Sequence, residues 1–158
     1  MEDKYISPFL EALKNVISQF GVTDIRFGKP ERKETMHVDT DITAVLGLVG
    51  NLRGNVAYSM SSETAKKTVS AMMYGMPVEE IDSIARSAIG EMANMITGNA
   101  ISSSLSLLLS GEKTTFDITP PSIIFGKDIY FIISSIETVS VPVDTSIGRI
   151  EVNIGLEI

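Results

Sequence analysis

No cysteine occurs anywhere in the chain. A disulfide framework and a thiolate metal site are therefore both excluded, which suits a cytoplasmic protein. Histidine is almost as scarce. His37 is the only one, and in the polar stretch 31–40 it reads as surface decoration, not as a catalytic base or metal ligand. Basic residues are few, 13 Lys and Arg against 20 Asp and Glu, for a net charge of −7. Nucleic acid and anionic membrane are poor partners for such a chain, because neutralising phosphates takes a basic patch. No apolar run reaches transmembrane length, and Met1-Glu2-Asp3-Lys4 is not a charged-then-apolar leader. Gly-x-Gly-x-x-Gly, P-loop and Gly-x-Ser-x-Gly patterns are all missing. The expectation is a protein with no cofactor or metal of its own.

What is present is apolar. At 158 residues and 44% hydrophobic content, residues 1–158 fit a single domain with a sizeable core. Residues 5–20 predict an amphipathic helix with Ile6, Phe9, Leu10, Leu13, Val16, Ile17 and Phe20 on one face, Pro8 in its first turn and Gly21 at its end. Thr23–Phe27 is a short strand, broken by Gly28-Lys29-Pro30. Ile42–Val49 and Asn55–Met60 read as two strands across a glycine-rich turn, the first apolar on both faces and so central. Ser61 or Ser62 can cap a helix over 62–74 that ends at Gly75, its methionines serving as adaptable packing.

A longer helical pattern starts near Glu79 and runs to about 109, with a kink or change of partner near Gly98 and Asn99 turned toward the core. Beyond it the chain reads as β: 115–118, 122–125, a long strand 129–141, and 149–158, whose alternation suggests one wet face. That last strand has few protecting charges, so its edge invites a second copy of the chain.

The helix from Glu79 holds the most informative stretch, Ser87-Ala88-Ile89-Gly90-Glu91-Met92-Ala93-Asn94. At 100° per residue, Ile81, Ala85, Ala88, Ile89, Met92, Met95 and Ile96 gather on one side, and Ser83, Ser87, Glu91 and Asn94 on the other. Glu91 and Asn94 stand side by side at i and i+3. An exposed glutamate with a polar neighbour is common on helices. Asn in mid-helix, where its propensity is poor, beside Gly90 is less so. Small residues around the pair (Ser87, Gly90, Ala93, Gly98) keep the face low, as close approach to another surface requires.

The order of elements has an internal echo. Ser7-x-x-x-Glu11 resembles Ser87-x-x-x-Glu91, and each half then carries a proline-marked break (Gly28-Lys29-Pro30, Thr119-Pro120-Pro121) and a strand pair. In the first half the asparagine, Asn15, lies four residues past the glutamate instead of three. One half would keep a functional face and the other only its scaffold. The fold class is α+β, an antiparallel-rich sheet with helices on one face.

Ser-x-x-x-Glu-x-x-Asn on an exposed helix, followed by Asp117-Ile118-Thr119-Pro120-Pro121, resembles the CheC/CheX/FliY family of chemotaxis phosphatases. The similarity extends over Ser61-Ser62-Glu63-Thr64-Ala65 and Val69-Ser70-Ala71-Met72-Met73, and the single complete motif favours the CheX branch over the two-motif CheC branch. The resemblance implies a homodimer that hydrolyses the aspartyl-phosphate of the response regulator CheY. Glu91 would meet the receiver's lysine and Asn94 its acyl phosphate, with Ser87 and Pro120 in supporting roles. Any Mg²⁺ would come with the receiver. The alternative is a non-catalytic receiver-binding module of the flagellar switch type.

The implied chemistry is economical. An acyl phosphate is already activated, so a carboxamide that holds a water in line suffices, much as a glutamine does in GTPases. Positioning of that kind is commonly worth about 100-fold.

Overall fold

The structure, a computed structural model, describes residues 1–102, 116–131 and 137–157. Helix α1 (Asp3–Gln19) opens the chain and buries Ile6, Phe9, Leu13, Val16 and Ile17, the stripe its spacing predicts. Because it starts at Asp3, Pro8 lies past the first turn, where its ring forgoes the backbone bond to the Lys4 carbonyl. Short strands β1 (Arg26–Phe27), β2 (Glu31–Lys33) and β3 (Met36–Val38) lead to the hairpin β4 (Ile42–Gly50) and β5 (Arg53–Met60). Helix α2 (Ser62–Met72) is capped by Ser61, whose Oγ accepts from the Thr64 amide at 3.1 Å.

Helix α3 spans Ser83–Ala100. It begins later than the periodicity suggests because Asp82 takes the cap, accepting from the Ala85 amide at 2.9 Å and leaving 79–81 outside. Asn99 is exposed and Ala100 takes the buried position, so the phase slip expected there does not occur. The pitch widens to a π-type turn at Ile101 and Ser102. Residues 103–109 of the anticipated helix lie outside the described residues.

The second half supplies β6 (Phe116–Ile118), β7 (Ser122–Phe125), β8 (Ile129–Phe131), β9 (Glu137–Thr145) and β10 (Gly148–Glu157). The main sheet has the order β1-β9-β10-β5-β4-β6, with β2 also on β9 and β7 also on β4, all antiparallel. Alternate residues of the four central strands (Leu46, Tyr58, Val141 and Val152 among them) join the buried faces of the three helices in one core. The α+β class and its antiparallel sheet are thus as expected.

Two strand expectations fail. The described residues of the strand expected over 129–141 belong to two strands in two sheets: β8 pairs with β3 in a separate ribbon, and β9 belongs to the main sheet, while 132–136 lie outside the described residues. A single apolar run cannot show a change of partner. His37 helps fasten that ribbon, with Nε2 2.7 Å from Asp128 Oδ1 and its ring stacked on Tyr130 at 4.3 Å between centroids, so it is more than surface decoration. The final strand, expected at an edge with one wet face, is central. β10 is paired along both sides, by β5 and by β9, and Asn153 and Gly155 are buried on the face away from the helices. Its polar alternation marks a second, small-residue face shared with Thr43, Ser59 and Ser140.

Glu151 lies on that face. Burial alone would raise its pKa, but hydrogen bonds from Ser140 Oγ (2.9 Å) and Asn153 Nδ2 (3.2 Å) and the Lys33 ammonium (3.4 Å) hold it below the ordinary carboxylate value of 4.5. The lowered pKa gives stability that is present above about pH 4.5 and lost as pH falls through the folded-state value. Glu151→Gln should cost about 1–2 kcal/mol at pH 7. It should also flatten the acid limb of a plot of melting temperature against pH; an acid limb as steep as wild type would rule the assignment out.

The internal echo has a structural form. Each edge of the sheet is a strand broken by a one-residue bulge. Between Phe27↔Val143 and Glu31↔Ser140 the edge advances one residue more than β9, and between Ile118↔Leu48 and Ser122↔Val45 one more than β4. The breaks are Gly28-Lys29-Pro30 and Thr119-Pro120-Pro121. The edge of each half is paired to the hairpin of the other, and β5 meets β10 at the centre.

Candidate active site on the third helix

Helix α3 presents Ser83, Ser87, Glu91 and Asn94 to solvent and buries Ala85, Ile89, Met92, Ala93 and Ile96. Its rotation is fixed from below. Buried Tyr58 on β5 donates from its hydroxyl to Thr97 Oγ1 at 2.8 Å, and Thr97 donates to the Ala93 carbonyl at 2.8 Å. Burial keeps the Tyr58 phenol protonated by raising its pKa. This chain ends at the peptide that leads into Asn94, so the sheet sets where that side chain emerges.

The second wall is the edge bulge. Thr119 is held on β4 twice: its amide donates to the Gly47 carbonyl at 2.9 Å, and its Oγ1 accepts from the Gly47 amide at 2.8 Å. Pro120 and Pro121 have no N–H to offer a strand partner and are carried over the helix. Two glycines admit the bulge. A Cβ at Gly47 would sit 3.1 Å from Thr119 Cγ2, and one at Gly90 would sit 3.2 Å from Pro121 Cγ. Gly90 is therefore buried beneath the bulge; it does not lie on the low open face where the helical wheel put it, and Ala93 is buried too.

Glu91, Asn94, Thr119 and Pro120, all exposed, line one shallow hollow between helix and bulge. Ser87 lines an adjoining one with Arg86, Glu91 and Pro121. All four residues singled out in the sequence (Ser87, Glu91, Asn94, Pro120) thus border one continuous surface. Gly47, Tyr58 and Thr97 were not foreseen, and Thr119 only as part of the proline-marked motif, although a glycine inside the apolar run 42–49 is a sequence sign of close backbone approach. Helix α1 does not repeat the arrangement. By the serine-glutamate echo its matches for Gly90 and Asn94 are Leu10 and Lys14, and Glu11 and Asn15 are both exposed. Among the described residues, no cluster of three or more acidic, histidine or cysteine side chains could hold a metal, and no helix is long and apolar enough to cross a membrane. The hollow offers one carboxylate, one carboxamide and one hydroxyl, a set able to bind a cation and orient water.

A family model described as chemotaxis phosphatase CheX matches residues 42–143, which include both α3 and the bulge. The chain belongs to the CheX family. A CheX relative from Thermotoga maritima, the CheY-P phosphatase CheX, is 33% identical over 129 residues, 82% of this chain and 80% of its own. The crystal structure of the chemotaxis protein CheX from Desulfovibrio desulfuricans superposes with a TM-score of 0.82 at 28% identity, covering 97% of this chain and 99% of that one. A CheX in complex with CheY, BeF3 and Mg²⁺ from Borrelia burgdorferi gives 0.78 at 27% identity, with 98% of each chain covered.

Proposed function

We propose that this protein hydrolyses the aspartyl-phosphate of a CheY-type receiver, using Glu91 to dock and Asn94 to orient the attacking water. The observation that carries the reading is the placement of both side chains, exposed one turn apart on α3 and facing the pinned bulge, in a chain of the CheX family. Residues 1–158 act as one domain.

On docking, the Glu91 carboxylate pairs with a lysine of the receiver. Asn94 Oδ1 accepts a hydrogen bond from water and aligns it with phosphorus. The water oxygen forms a bond to phosphorus as the bond to the aspartyl oxygen breaks. Inorganic phosphate leaves carrying both protons of the water, and the receiver regains its carboxylate. Asn94 takes no proton, which agrees with a site that has no histidine. Mg²⁺ is the receiver's own in this reading, which the Borrelia complex of CheX, CheY, BeF3 and Mg²⁺ supports. Ser87 and Pro120 shape the surface around the pair.

The test is loss of label from phosphorylated CheY with and without this protein. Acceleration that needs no metal beyond the receiver's own supports the reading. Equal rates, with binding intact, would leave a receiver-binding module of the flagellar switch type.

We further infer a homodimer. Since β10 is paired on both sides, the main-sheet edges open to a second copy among the described residues are the bulged outer ones. β7 is one of them, with Phe125 51% exposed. Light scattering should give about 34 kDa, twice the 17.1 kDa chain mass. A monomer at micromolar concentration would overturn this.

A further inference from the structure

The surface bearing Glu91 does not stop at Ser87. Ile84, two turns before Glu91, is 65% exposed, and no other large apolar side chain of α3 stands out to that degree. It borders two depressions at once. One is a shallow hollow along the helix, shared with Ser83, Ser87 and Glu91. The other is a groove between the end of α2 and the start of α3, floored by Val69, Met73 and Val78. Glu79, Glu80 and Asp82 rim that groove, and among the described residues no lysine or arginine lines it. Met76, 58% exposed, and Tyr74, fully exposed and held at φ +57°, lie in the α2–α3 connection outside the groove's lining, Tyr74 against the end of α1. The methionine-rich segment thus only partly serves as packing. Met72 and Met73 meet the core, whereas Met76 faces solvent.

We propose that Ile84 and the acid-rimmed groove are the second half of the receiver-docking footprint, with Ile84 as its apolar anchor. The inference rests on Glu91 and Asn94 facing the receiver. Its occupant is the phosphorylated receiver itself, because the groove is continuous with the Glu91 hollow through the single side chain of Ile84. A receiver seated with its phosphoryl group at Asn94 would lie along α3 toward the groove. An apolar side chain seated in a desolvated pocket and ringed by contacts that exclude water is one whose truncation costs binding. The carboxylate rim selects a lysine- or arginine-bearing element of the receiver and steers its approach.

The experiment measures phosphate release against receiver concentration for wild type, Ile84→Ser, Ile84→Leu and Glu91→Lys, with binding of the beryllofluoride-loaded receiver in parallel. Ile84 lies in the first helical turn and is mostly exposed, so serine there leaves the fold in place. Ile84→Ser should raise KM and the dissociation constant about tenfold, hold kcat within about twofold, and be rescued by Ile84→Leu. Glu79→Lys with Glu80→Lys should weaken binding several-fold, more at low salt than at high.

Wild-type KM in Ile84→Ser, with Glu91→Lys weakened, would overturn the extended footprint and leave the Glu91 assignment standing. Unchanged binding in both variants would overturn the docking face as a whole. Conversion of a dimer to monomers by Ile84→Ser in light scattering would assign the groove to a second copy of the chain and overturn the proposal.

Discussion

Replacing Asn94 by alanine should slow hydrolysis of the phosphorylated receiver about 100-fold and leave its affinity nearly unchanged. The contact that is lost is one to the attacking water, which matters chiefly in the transition state. Asn94 is exposed on α3 and fills no core space. Alanine is also the better helix former, so melting should be unchanged or slightly higher. Asn94→Asp separates orientation from charge. It keeps the size and an acceptor but sets a negative charge against the phosphoryl group, so it should be as slow as alanine and bind less tightly. Asn94→Gln should recover part of the rate if the extra methylene fits beneath Pro120. Turnover, beryllofluoride-complex affinity and a melting curve on all three variants make the test. Hydrolysis by Asn94→Ala at near wild-type rate would reduce the helix face to a docking surface.

Glu91→Lys should act in the opposite sense, on binding before rate. The proposed contact is a carboxylate–ammonium pair desolvated as the two proteins meet. Reversing one charge leaves the receiver's lysine facing another cation, a loss of about 2–5 kcal/mol in affinity. Position 91 is exposed and its neighbour Gly90 carries the packing against Pro121, so the bulge and helix remain in place. Glu91→Gln should fall between, since it keeps a hydrogen-bond acceptor without the charge. If Glu91→Lys binds the beryllofluoride-loaded receiver as tightly as wild type, Glu91 does not dock on the lysine.

Much of the helical part of the fold is legible from periodicity alone. The buried faces of α1 and α3 follow the apolar spacing of Phe9, Leu13 and Val16 and of Ala85, Ile89 and Ile96, because burial of one stripe is what holds such a helix. The exposed row Ser83, Ser87, Glu91, Asn94 is legible for the same reason. The strands were less so, since alternation shows which residues share a face but not which strand lies alongside. Glu151, Asn153 and Gly155 look like a wet face, yet Asn153 and Gly155 are buried and Glu151 half-buried. Ile129–Phe131 and Glu137–Thr145 look continuous and join different sheets.

The bulge was legible only as a proline pair. Its role comes from Gly47, 72 residues away, and nothing in either segment names the other. Gly90 showed the same limit: the sequence suggested a low open face, whereas the missing side chain makes room for Pro121.

The crossing of the two outer edges has a bearing on how and when the protein becomes competent. The first half of the chain, ending before α3, has its hairpin but lacks the strand that covers β4, and its own outer strand has no β9 to join. The first hairpin is therefore covered only once β6 and β7 exist, and the first outer strand only once β9 does, so folding is governed by long-range pairing, which is slow. The hollow beside Asn94 is assembled late in the same way, since Thr119 reaches its place only by meeting Gly47. Two fragments divided in the 76–82 connection should each be incomplete when made separately. Mixed together, they should recover structure and phosphatase activity in step, because one set of contacts completes both.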